Sequence, residues 1–529
     1  MLKSFLYSIK THINKGRKLF LLLFILTYQL AIGQTTFNVA IDSGWFIPVA
    51  VINYDTMYRV IGSGESLHVH ARRLRISDFD TNGVLLNERF FGNPQEQTYS
   101  GQFGSASLLE SGNIAVGGTL IDSSVENIYP LLMLLDSNGD SLRFVESVMP
   151  HFQFISQMKP KNNSKGFVSV GHNGLPNQQE KYLLIDYDSL GNHVWDTTYG
   201  TTTKKDQAKC IEVCSDGGYL IGGWTNSYGV PSVDDKLNIW LIKTDSTGQI
   251  EWEKVLGDSL GDCAYSIVES KYGGYYVAGC YTKTGLPTSN LKSYSSPYIV
   301  KLDVFGNIIW EKTFIEPSYG TGLVSLIELA NGDLIGCGVD GRPKFNGDKG
   351  RHGLVIKIDS AGNELWQRSY EHPSAIYDSL QPAPYSGLND IKLTKDGGII
   401  TTGLLYPTFG GTHGWLLKLD SMGCLTAGCD TLKDSNDVSV KNELVIEPIV
   451  NVFPNPASQT VSVSFTGYAE NRSLNLKVIS LQGTEVLAKT STSEKGFTLD
   501  VSDVSNGLYL LYVSDNNNAT HVKKLLVQH

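Results

Sequence analysis

Seven copies of one short pattern recur along this chain of 529 residues. In each copy an apolar run ends in Asp, and Gly follows three positions later. The copies begin at Asp80, Asp136, Asp188, Asp245, Asp303, Asp359 and Asp420, so successive Asp residues are 56, 52, 57, 58, 56 and 61 positions apart. A strand-rich unit of this length cannot bury its own apolar face. The spacing therefore predicts a radial array of β-units around a common axis.

The segment between residues 208 and 257 shows how one unit is built. Short apolar runs alternate with tight turns that contain Asp and Gly, and a longer polar loop separates the second run from the third. The four runs are Ala208 to Val213, Tyr219 to Thr225, Ile239 to Thr244 and Gln249 to Leu256. Four antiparallel strands joined by hairpins form one blade of a β-propeller. The sequence predicts an all-β fold, with a seven-bladed β-propeller over residues 34–429.

The recurring Asp, Gly, Trp and Lys residues of the units each have an expected role. The Asp can accept a hydrogen bond from the amide two residues on, and the Gly adopts the positive φ of the turn. Trp lies seven residues after the Asp in four units, at 195, 252, 310 and 366, and Lys lies two residues before it at 243, 301, 357 and 418. Two roles are possible for these Trp residues: an aromatic platform for a ligand, or an anchor that packs between blades. Their identical placement in four units favours the packing role. Since residues of equal parity share a strand face, we expect each Lys to pair with its Asp at the surface.

The last unit lacks a good fourth strand, because a short irregular segment follows Gly423. A strand-like run from Phe37 to Ile41 precedes the first unit and belongs to none. We expect this run to complete the last blade beside residues 414–420, which would remove an exposed sheet edge.

The beginning of the chain is basic and then apolar. Four basic residues, Lys10, Lys15, Arg17 and Lys18, precede the apolar run from Leu19 to Leu30, and small residues precede Gln34. This order predicts a secretory signal peptide over residues 1–33. A membrane anchor is the alternative, but the run is shorter than the roughly 20 residues that a spanning helix needs. We expect no transmembrane segment in the mature chain.

The seven Cys residues indicate a single local disulfide. Export permits disulfides, and Cys424 and Cys429 flank a Gly-containing turn. Cys210 and Cys214 are four positions apart on one face of a strand, which is too far for a disulfide without distortion. We expect them to be buried as small apolar side chains. Pairing of Cys210, Cys214, Cys263, Cys280 and Cys337 stays open, and the odd count leaves at least one free thiol. No spacing of Cys and His suits zinc, and the sequence predicts neither a metal nor an organic cofactor.

The end of the chain has a different organisation. Residues 430–450 are polar and predict a linker, and residues 451–529 contain six short strand-like runs that predict a small β-sandwich. Four short motifs occur there in order: residues 452–457 with Pro454, Asn455 and Pro456; Leu481-Gln482-Gly483; residues 505–509 with Gly507, Leu508 and Tyr509; and residues 523–527 with Lys523 and Lys524.

On these motifs, the segment resembles the type A C-terminal sorting domain of the type IX secretion system of Bacteroidetes. The resemblance implies handling by the type IX secretion machinery, passage through the outer membrane, and release or attachment at the cell surface. The repeats separately resemble the delta-60-type propeller repeats of secreted bacterial proteins, which share no common activity.

Long loops at one end of the predicted propeller are the candidate binding site. Connections from second to third strand and between blades lie at the same end, because strands alternate in direction. The long ones are Asn226 to Asn238, Lys283 to Pro297, Asp340 to Gly353 and Glu371 to Leu388. Their candidate ligand-binding side chains are Tyr228, Asp234, Asp235, Tyr294, Arg342, Lys344, Phe345, Arg351, His352, Tyr377 and Tyr385. Such residues suit carbohydrate or protein contact; ordinary solvated loops are the alternative.

The function hypotheses follow from these features. A net charge of −10 without a basic cluster argues against a nucleic-acid binder. A regular repeat with no nucleophile elbow, phosphate loop or metal-spaced His pair favours a non-catalytic, monomeric binding scaffold. The alternative is a hydrolase or lyase that acts on polysaccharide with acids gathered from several blades. A third hypothesis, based on the repeated Trp residues, is a propeller that binds a quinone cofactor.

Overall fold

The computed structural model of this protein describes residues 34–42, 44–54, 56–66, 69–92, 97–100, 104–121, 128–146, 153–162, 166–174, 179–201, 203–229, 237–257, 261–282, 294–315, 318–319, 321–342, 351–372, 385–406, 411–426, 429, 449–453, 455–466, 473–480, 484–492, 497–515 and 520–529. The predicted signal peptide and most of the predicted linker lie outside these ranges. The chain divides into two compact units, Met1–Ser439 and Val440–His529. Each is described by itself.

The described part of the first unit contains seven antiparallel sheets, numbered here in chain order. Sheet 1 holds β2 (Phe46–Tyr54), β3 (Met57–Ser66), β4 (Val69–Asp80) and β5 (Leu85–Phe91). Sheet 2 holds β6 (Gln97–Ser100), β7 (Ala106–Leu108), β8 (Ile114–Ile121), β9 (Ile128–Leu135) and β10 (Ser141–Glu146). Sheet 3 holds β11 (Gln153–Pro160), β12 (Phe167–Asn173), β13 (Lys181–Tyr187) and β14 (His193–Tyr199).

The remaining sheets of this unit follow the same order. Sheet 4 holds β15 (Asp206–Val213), β16 (Tyr219–Thr225), β17 (Asn238–Thr244) and β18 (Ile250–Leu256). Sheet 5 holds β19 (Cys263–Glu269), β20 (Tyr275–Thr282), β21 (Tyr294–Leu302), β22 (Ile308–Thr313) and β23 (Ser318–Tyr319). Sheet 6 holds β24 (Gly322–Glu328), β25 (Leu334–Asp340), β26 (His352–Ile358) and β27 (Glu364–Tyr370). Sheet 7 holds β28 (Tyr385–Leu393), β29 (Ile399–Tyr406), β30 (His413–Leu419) and β1 (Phe37–Ile41).

The sheets pack face to face in chain order, and sheet 7 packs against sheet 1. Middle strands such as β17 are buried along their whole length, whereas the outer strand β18 alternates between exposed and partly buried residues. A strand covered on both faces reads as a continuous apolar run, which explains why the second and third runs of each repeat are the most apolar. The arrangement is β-propeller-like, and the expected all-β fold is confirmed.

The Asp-Gly pattern forms the tight turn that the sequence predicts. Asp245 Oδ1 accepts hydrogen bonds from the amides of Thr247 at 2.8 Å and Gln249 at 2.9 Å, and Gly248 has a φ of +83°. The same pair of bonds recurs at Asp188, Asp303, Asp359 and Asp420. The Thr247 hydroxyl also donates to Asp245, and this bond together with the amide bonds favours the charged form and lowers the pKa of Asp245.

Each repeated Trp packs on the turn of the next sheet. A Cβ on Gly306 would lie 2.9 Å from the Trp252 ring, and Trp195 stands in the same relation to Gly248. The Trp252 indole Nε1 also donates to the Val304 carbonyl at 3.2 Å. The turn therefore requires glycine for two reasons: its positive φ and the close approach of the Trp ring. The interpretation of these Trp residues as packing anchors is confirmed.

The N-terminal strand completes the last sheet, as expected. β1 runs antiparallel to β30, with Phe37 opposite Lys418 and Ile41 opposite Gly414. Phe37 thus stands where Trp252 stands opposite Lys243 in sheet 4. Its ring packs on Gly83, the turn glycine of sheet 1. The first strand of the chain supplies the aromatic residue that the seventh repeat lacks.

The expected pairing of the repeated Lys with the Asp of the same turn is wrong. Lys243 and Lys418 are buried, and each contacts an acid of the other turn at the same end of its sheet: Asp216 at 2.8 Å and Asp396 at 3.1 Å. Lys357 pairs likewise with Asp333 at 3.4 Å, and Lys301 donates to the Gly273 carbonyl at 3.0 Å. The physical reason is that the turn Asp is already occupied by its own backbone amides. These lysines tie two turns of one sheet together.

The cysteines follow the prediction where it was specific. Cys424 and Cys429 form a disulfide. Cys210 and Cys214 are free and buried. Burial raises the pKa of the Cys214 thiol to about 12, so it packs as a small apolar side chain.

The second unit contains two antiparallel sheets. Sheet 8 holds β31 (Ile449–Phe453), β32 (Thr460–Thr466) and β35 (Phe497–Asp500). Sheet 9 holds β33 (Ser473–Ser480), β34 (Glu485–Thr492), β36 (Gly507–Asp515) and β37 (Thr520–Val527). Val461 and Val463 of sheet 8 share one apolar core with Leu476, Leu511 and Leu525 of sheet 9.

Candidate functional site

The candidate site lies at the end of the first unit where each second strand leads into the third, which we call the long-loop face. Strands alternate in direction, so each first strand also begins at this face. The first strands of successive sheets contact one another, as β11 and β15 do and as β15 and β19 do. First strands are therefore innermost, and the centre of the long-loop face is lined by their first residues.

One backbone hydrogen bond recurs between the ends of four second-to-third-strand loops and the next sheet. A residue at the start of an innermost strand, or directly beside its first residue, donates its amide to the carbonyl just before the third strand of the preceding sheet. The four cases are Asp206 to Glu180 at 2.8 Å, Asp262 to Leu237 at 3.0 Å, Ser386 to Arg351 at 2.8 Å, and Phe46 to Thr412 at 2.9 Å. The last of these joins sheet 1 to sheet 7. The loops thus rise from a common, rigid base.

Buried acids secure the other end of these loops. Asp206 is fully buried and accepts hydrogen bonds from the Thr225 and Ser227 hydroxyls, at the start of the loop after β16. Asp262 is equally buried and accepts the amide of Thr282 at 2.7 Å, at the end of β20. Both carboxylates are used to hold loops.

Sequence reasoning missed these two acids, although a signal was present. A Gly with positive φ precedes each of them, at Gly200 and Gly257, and a Cβ there would lie 2.4 Å and 2.1 Å from the Asp carboxylate. A Gly followed by Asp five or six residues later recurs in two successive repeats.

Tyr228 is the first of the predicted binding residues that the structure describes. Its ring packs on Trp240 with centroids 4.7 Å apart, and its carbonyl accepts the Asn238 side-chain amide at 3.2 Å. The side chain is still 37% exposed, so one ring face covers the fold while the rest meets solvent. Burial raises the pKa of Tyr228, which keeps the phenol neutral.

Arg342 and His352 lie together in sheet 6. Arg342 forms an ion pair with the buried Asp340 at 2.8 Å, and Ser369 donates to the same carboxylate. His352 stands opposite Asp340 in the strand register, and its Nδ1 lies 2.8 Å from Glu371. Burial alone would raise the pKa of Asp340, but the bonds from Arg342 and Ser369 outweigh it, and the pKa is lowered. This cluster ties a loop base to β27.

The other predicted residues are located less fully. Arg351 contributes the backbone carbonyl already described. Tyr294 opens β21 opposite Tyr319, and Tyr385 opens β28 opposite Tyr406. Asp234, Asp235, Lys344, Phe345 and Tyr377 lie outside the described residues. The structure thus brings Arg342 and His352 together and places Tyr228 in a different sheet.

A polar row at the start of β15 was not predicted. Lys205, Gln207 and Lys209 are half-buried and alternate with the fully buried Asp206, Ala208 and Cys210. The half-buried row lies on an innermost strand and contacts Glu180 of sheet 3. The alternation was visible in the sequence, but only the structure shows that β15 is an innermost strand.

The row on β15 is organised by a buried acid from the neighbouring sheet. Gln207 donates its side-chain amide to Glu180, and Lys205 lies 3.7 Å from the same carboxylate. The Gln207 carbonyl oxygen then accepts a hydrogen bond from Lys209 Nζ at 2.7 Å. Burial lowers the pKa of Lys209. No group of three or more His, Cys, Asp and Glu side chains in the described ranges is placed to hold a metal ion.

The export motifs of the second unit converge on its last strand. Asn455 donates its side-chain amide to the Lys524 carbonyl and accepts the Leu526 amide, both at 2.8 Å. Asn506 accepts the amide of His529 at 2.8 Å. Residues 23 to 71 positions apart in sequence thus meet along the end of the chain, where Lys523 and Lys524 of β37 are exposed. Pro454 lies outside the described residues.

Comparison with known proteins identifies this segment. Residues 451–528 match the sequence family described as "Secretion system C-terminal sorting domain". This type IX sorting domain indicates a protein that is secreted or attached to the cell surface, and it implies handling by the secretion machinery. The described part of the chain holds no helix with the length and hydrophobicity that a membrane span requires. A search of curated proteins found no match.

Several solved structures are similar to this chain at low sequence identity. The β-propeller domain of the Trilobed protease from Pyrococcus furiosus is 10% identical with a TM-score of 0.39, over 75% of this chain and 98% of that one. Polysaccharide lyase Uly1 is 8% identical with a TM-score of 0.44, over 70% and 90%. A protein of unknown function from Dyadobacter fermentans is 11% identical with a TM-score of 0.39, over 73% and 100%.

Proposed function

We propose that this type IX-exported protein is a non-catalytic binding scaffold that recognises a glycan or a protein through its long-loop face. In this proposal the seven sheets are seven blades of one closed propeller over residues 34–429. Residues 1–33 are a signal peptide, 430–450 a linker, and 451–529 a β-sandwich of the Bacteroidetes sorting type. The scaffold is a monomer, and its repeats are of the delta-60 type.

One observation carries the proposal: three buried acids at this face are used to fix loops. Asp206, Asp262 and Asp340 each bond to the base of a loop. The repeated backbone bond fixes the other end of the loops. A rigid base that carries long variable loops is the arrangement that binding proteins use.

The alternative is a polysaccharide hydrolase or lyase, and a glycoside hydrolase generally needs two carboxyl groups facing its substrate. The innermost row of sheet 4 presents Lys205, Gln207 and Lys209 instead. The neighbouring acids Asp206 and Asp262 are fully buried between sheets. These observations favour binding over catalysis.

A paired-variant binding experiment tests the proposal. The full-length protein is screened on glycan and protein arrays, and binding is measured again after Tyr294→Ala with Phe345→Ala. The matched control is Tyr272→Ala with Phe305→Ala, because these exposed aromatics lie in tight turns at the opposite end. We expect loss with the first pair and no change with the control.

Two outcomes would contradict the proposal. Equal binding by both double variants would remove the long-loop face from recognition. Release of new reducing ends or unsaturated sugars from a bound polysaccharide would replace the scaffold by the enzyme alternative.

A further inference from the structure

The innermost strands carry a β-bulge at an equivalent position in six sheets. The strand register skips one residue there: Val49, Ser156, Lys209, Tyr265, Val324 and Asn389. An extra residue in a bulge leaves the regular pairing and re-aims its side chain. Within these six described bulges, Lys209 is the one charged residue. A cation at a position that is otherwise neutral needs an explanation.

The partner of Lys209 does not balance its charge. Its ammonium group lies 2.7 Å from the Gln207 carbonyl oxygen, which is neutral. The nearby carboxylate of Glu180 is bonded to Gln207 and Lys205 instead. An ammonium group has three donors, and the Gln207 oxygen uses one of them. Because Glu180 orients the Gln207 amide, the Gln207 oxygen is presented to Lys209, while Glu180 acts on the ammonium group through its charge alone.

A pair of flat rings flanks this cation. Phe154 and His172 of sheet 3 stack with centroids 4.8 Å apart and planes 13° apart. Phe154 stands two positions before the bulge of β11, as Gln207 does in β15, so the two lie at the same level of adjacent sheets. Burial and the Lys209 cation lower the pKa of His172 to about 3, so the ring pair is neutral at physiological pH. Both rings are half-buried.

We propose that Lys209, held by Gln207 and flanked by the Phe154–His172 ring pair, binds the carboxylate of an acidic sugar at the centre of the long-loop face. An ammonium group supplies charge-assisted hydrogen bonds to a carboxylate, and a flat neutral ring pair suits the apolar face of a sugar. The proposal rests on the proposed binding function and names its ligand class.

The test uses ligand-observed saturation-transfer NMR with the full-length protein. The probes are methyl glucuronoside and the matched neutral methyl glucoside, which differ only in the carboxylate. We expect binding of the first and none of the second. Lys209→Gln should weaken binding about tenfold or more, since a hydrogen bond to a charged group is lost. Lys254→Gln, on the outer strand of the same sheet, should change it less than about twofold.

A second variant protects the test against a folding defect. Gln207→Glu removes the amide donor to Glu180 and places a second carboxylate beside it, so that the Lys209 ammonium group gains a charged partner inside the protein between two acids. We expect this variant to weaken uronoside binding about tenfold as well. Tryptophan fluorescence verifies that each variant is folded.

Each remaining outcome is decisive. Equal binding of the two sugars, binding of neither, displacement by equimolar sulfate, or unchanged affinity in both sheet 4 variants would overturn the proposal. If the arrays show another ligand on the long-loop face while the uronoside fails, only this inference is lost. If the arrays show that this face is not used, the binding function itself is lost.

Discussion

The contact between Phe37 and Gly83 gives the sharpest energetic prediction, because it joins the N-terminal strand to sheet 1. Phe37 is half-buried, and removing a fully buried Phe side chain costs about 3–5 kcal/mol, so Phe37→Ala should cost about 2 kcal/mol. Gly83 has a φ of +82°, and Gly83→Ala adds about 1 kcal/mol for that backbone conformation. Its new Cβ would also lie 2.8 Å from the Phe37 ring, an overlap that costs about 1–2 kcal/mol more.

These two changes should not be additive. In the double variant the Phe37 ring is absent, so the overlap with the new Cβ disappears. The loss of unfolding free energy in the double variant should therefore be about 1–2 kcal/mol smaller than the sum of the two single losses. Gly112 offers a matched control, since its φ is +83° and a Cβ there meets nothing within 4 Å. Gly112→Ala should cost about 1 kcal/mol and add independently to Phe37→Ala.

Urea unfolding followed by tryptophan fluorescence measures these energies. All 8 Trp residues precede residue 440, so the signal reports the first unit alone. A double variant whose loss equals the sum of the single losses within about 0.5 kcal/mol would refute the contact.

Three further predictions address other parts of the chain. Asp396→Ala should destabilise the first unit by about 2 kcal/mol or more, because it leaves the buried Lys418 without its acid, whereas Lys418→Met with Asp396→Ala should recover much of the loss in the same urea assay. Arg342→Met should destabilise the fold most at neutral pH: the pKa of Asp340 is lowered, so its contribution is present above the unfolded pKa and is lost as pH falls through the folded pKa, and a pH-independent deficit would contradict this. Asn455→Ala should speed amide hydrogen exchange in residues 520–529, because Asn455 bonds to both Lys524 and Leu526, while Asn475→Ala on β33 should leave that peptide unchanged.

Local features of the fold were predictable because each repeat carries its own signals. The Asp turns, the Trp anchors and the strand from Phe37 to Ile41 depend on short-range pattern and on the number of strands per unit. The role of Lys243 was not predictable in this way. Strand parity places Lys243 and Asp245 on one face, but only the folded sheet shows that Asp216 comes closer.

The site was less predictable for a related reason. The sequence shows which loops are long, and Tyr228, Arg342 and His352 do lie at their bases. It does not show which strand is innermost, so the row that contains Lys209 and the loop-fixing Asp206 and Asp262 went unrecognised. Their meaning depends on contacts between distant positions of the sequence, such as Gln207 with Glu180 and Thr282 with Asp262.

The central proposal is that the repeats close into a ring through the N-terminal strand, and a designed cross-link tests it most directly. Val39 stands opposite Leu416, so Val39→Cys with Leu416→Cys should form a disulfide under mild oxidation, found by mass spectrometry as a peptide that joins the two ends of the repeat array. Val39→Cys with Leu417→Cys, one register position away, should not. A link to position 417, or none at 416 in folded protein, would contradict the account.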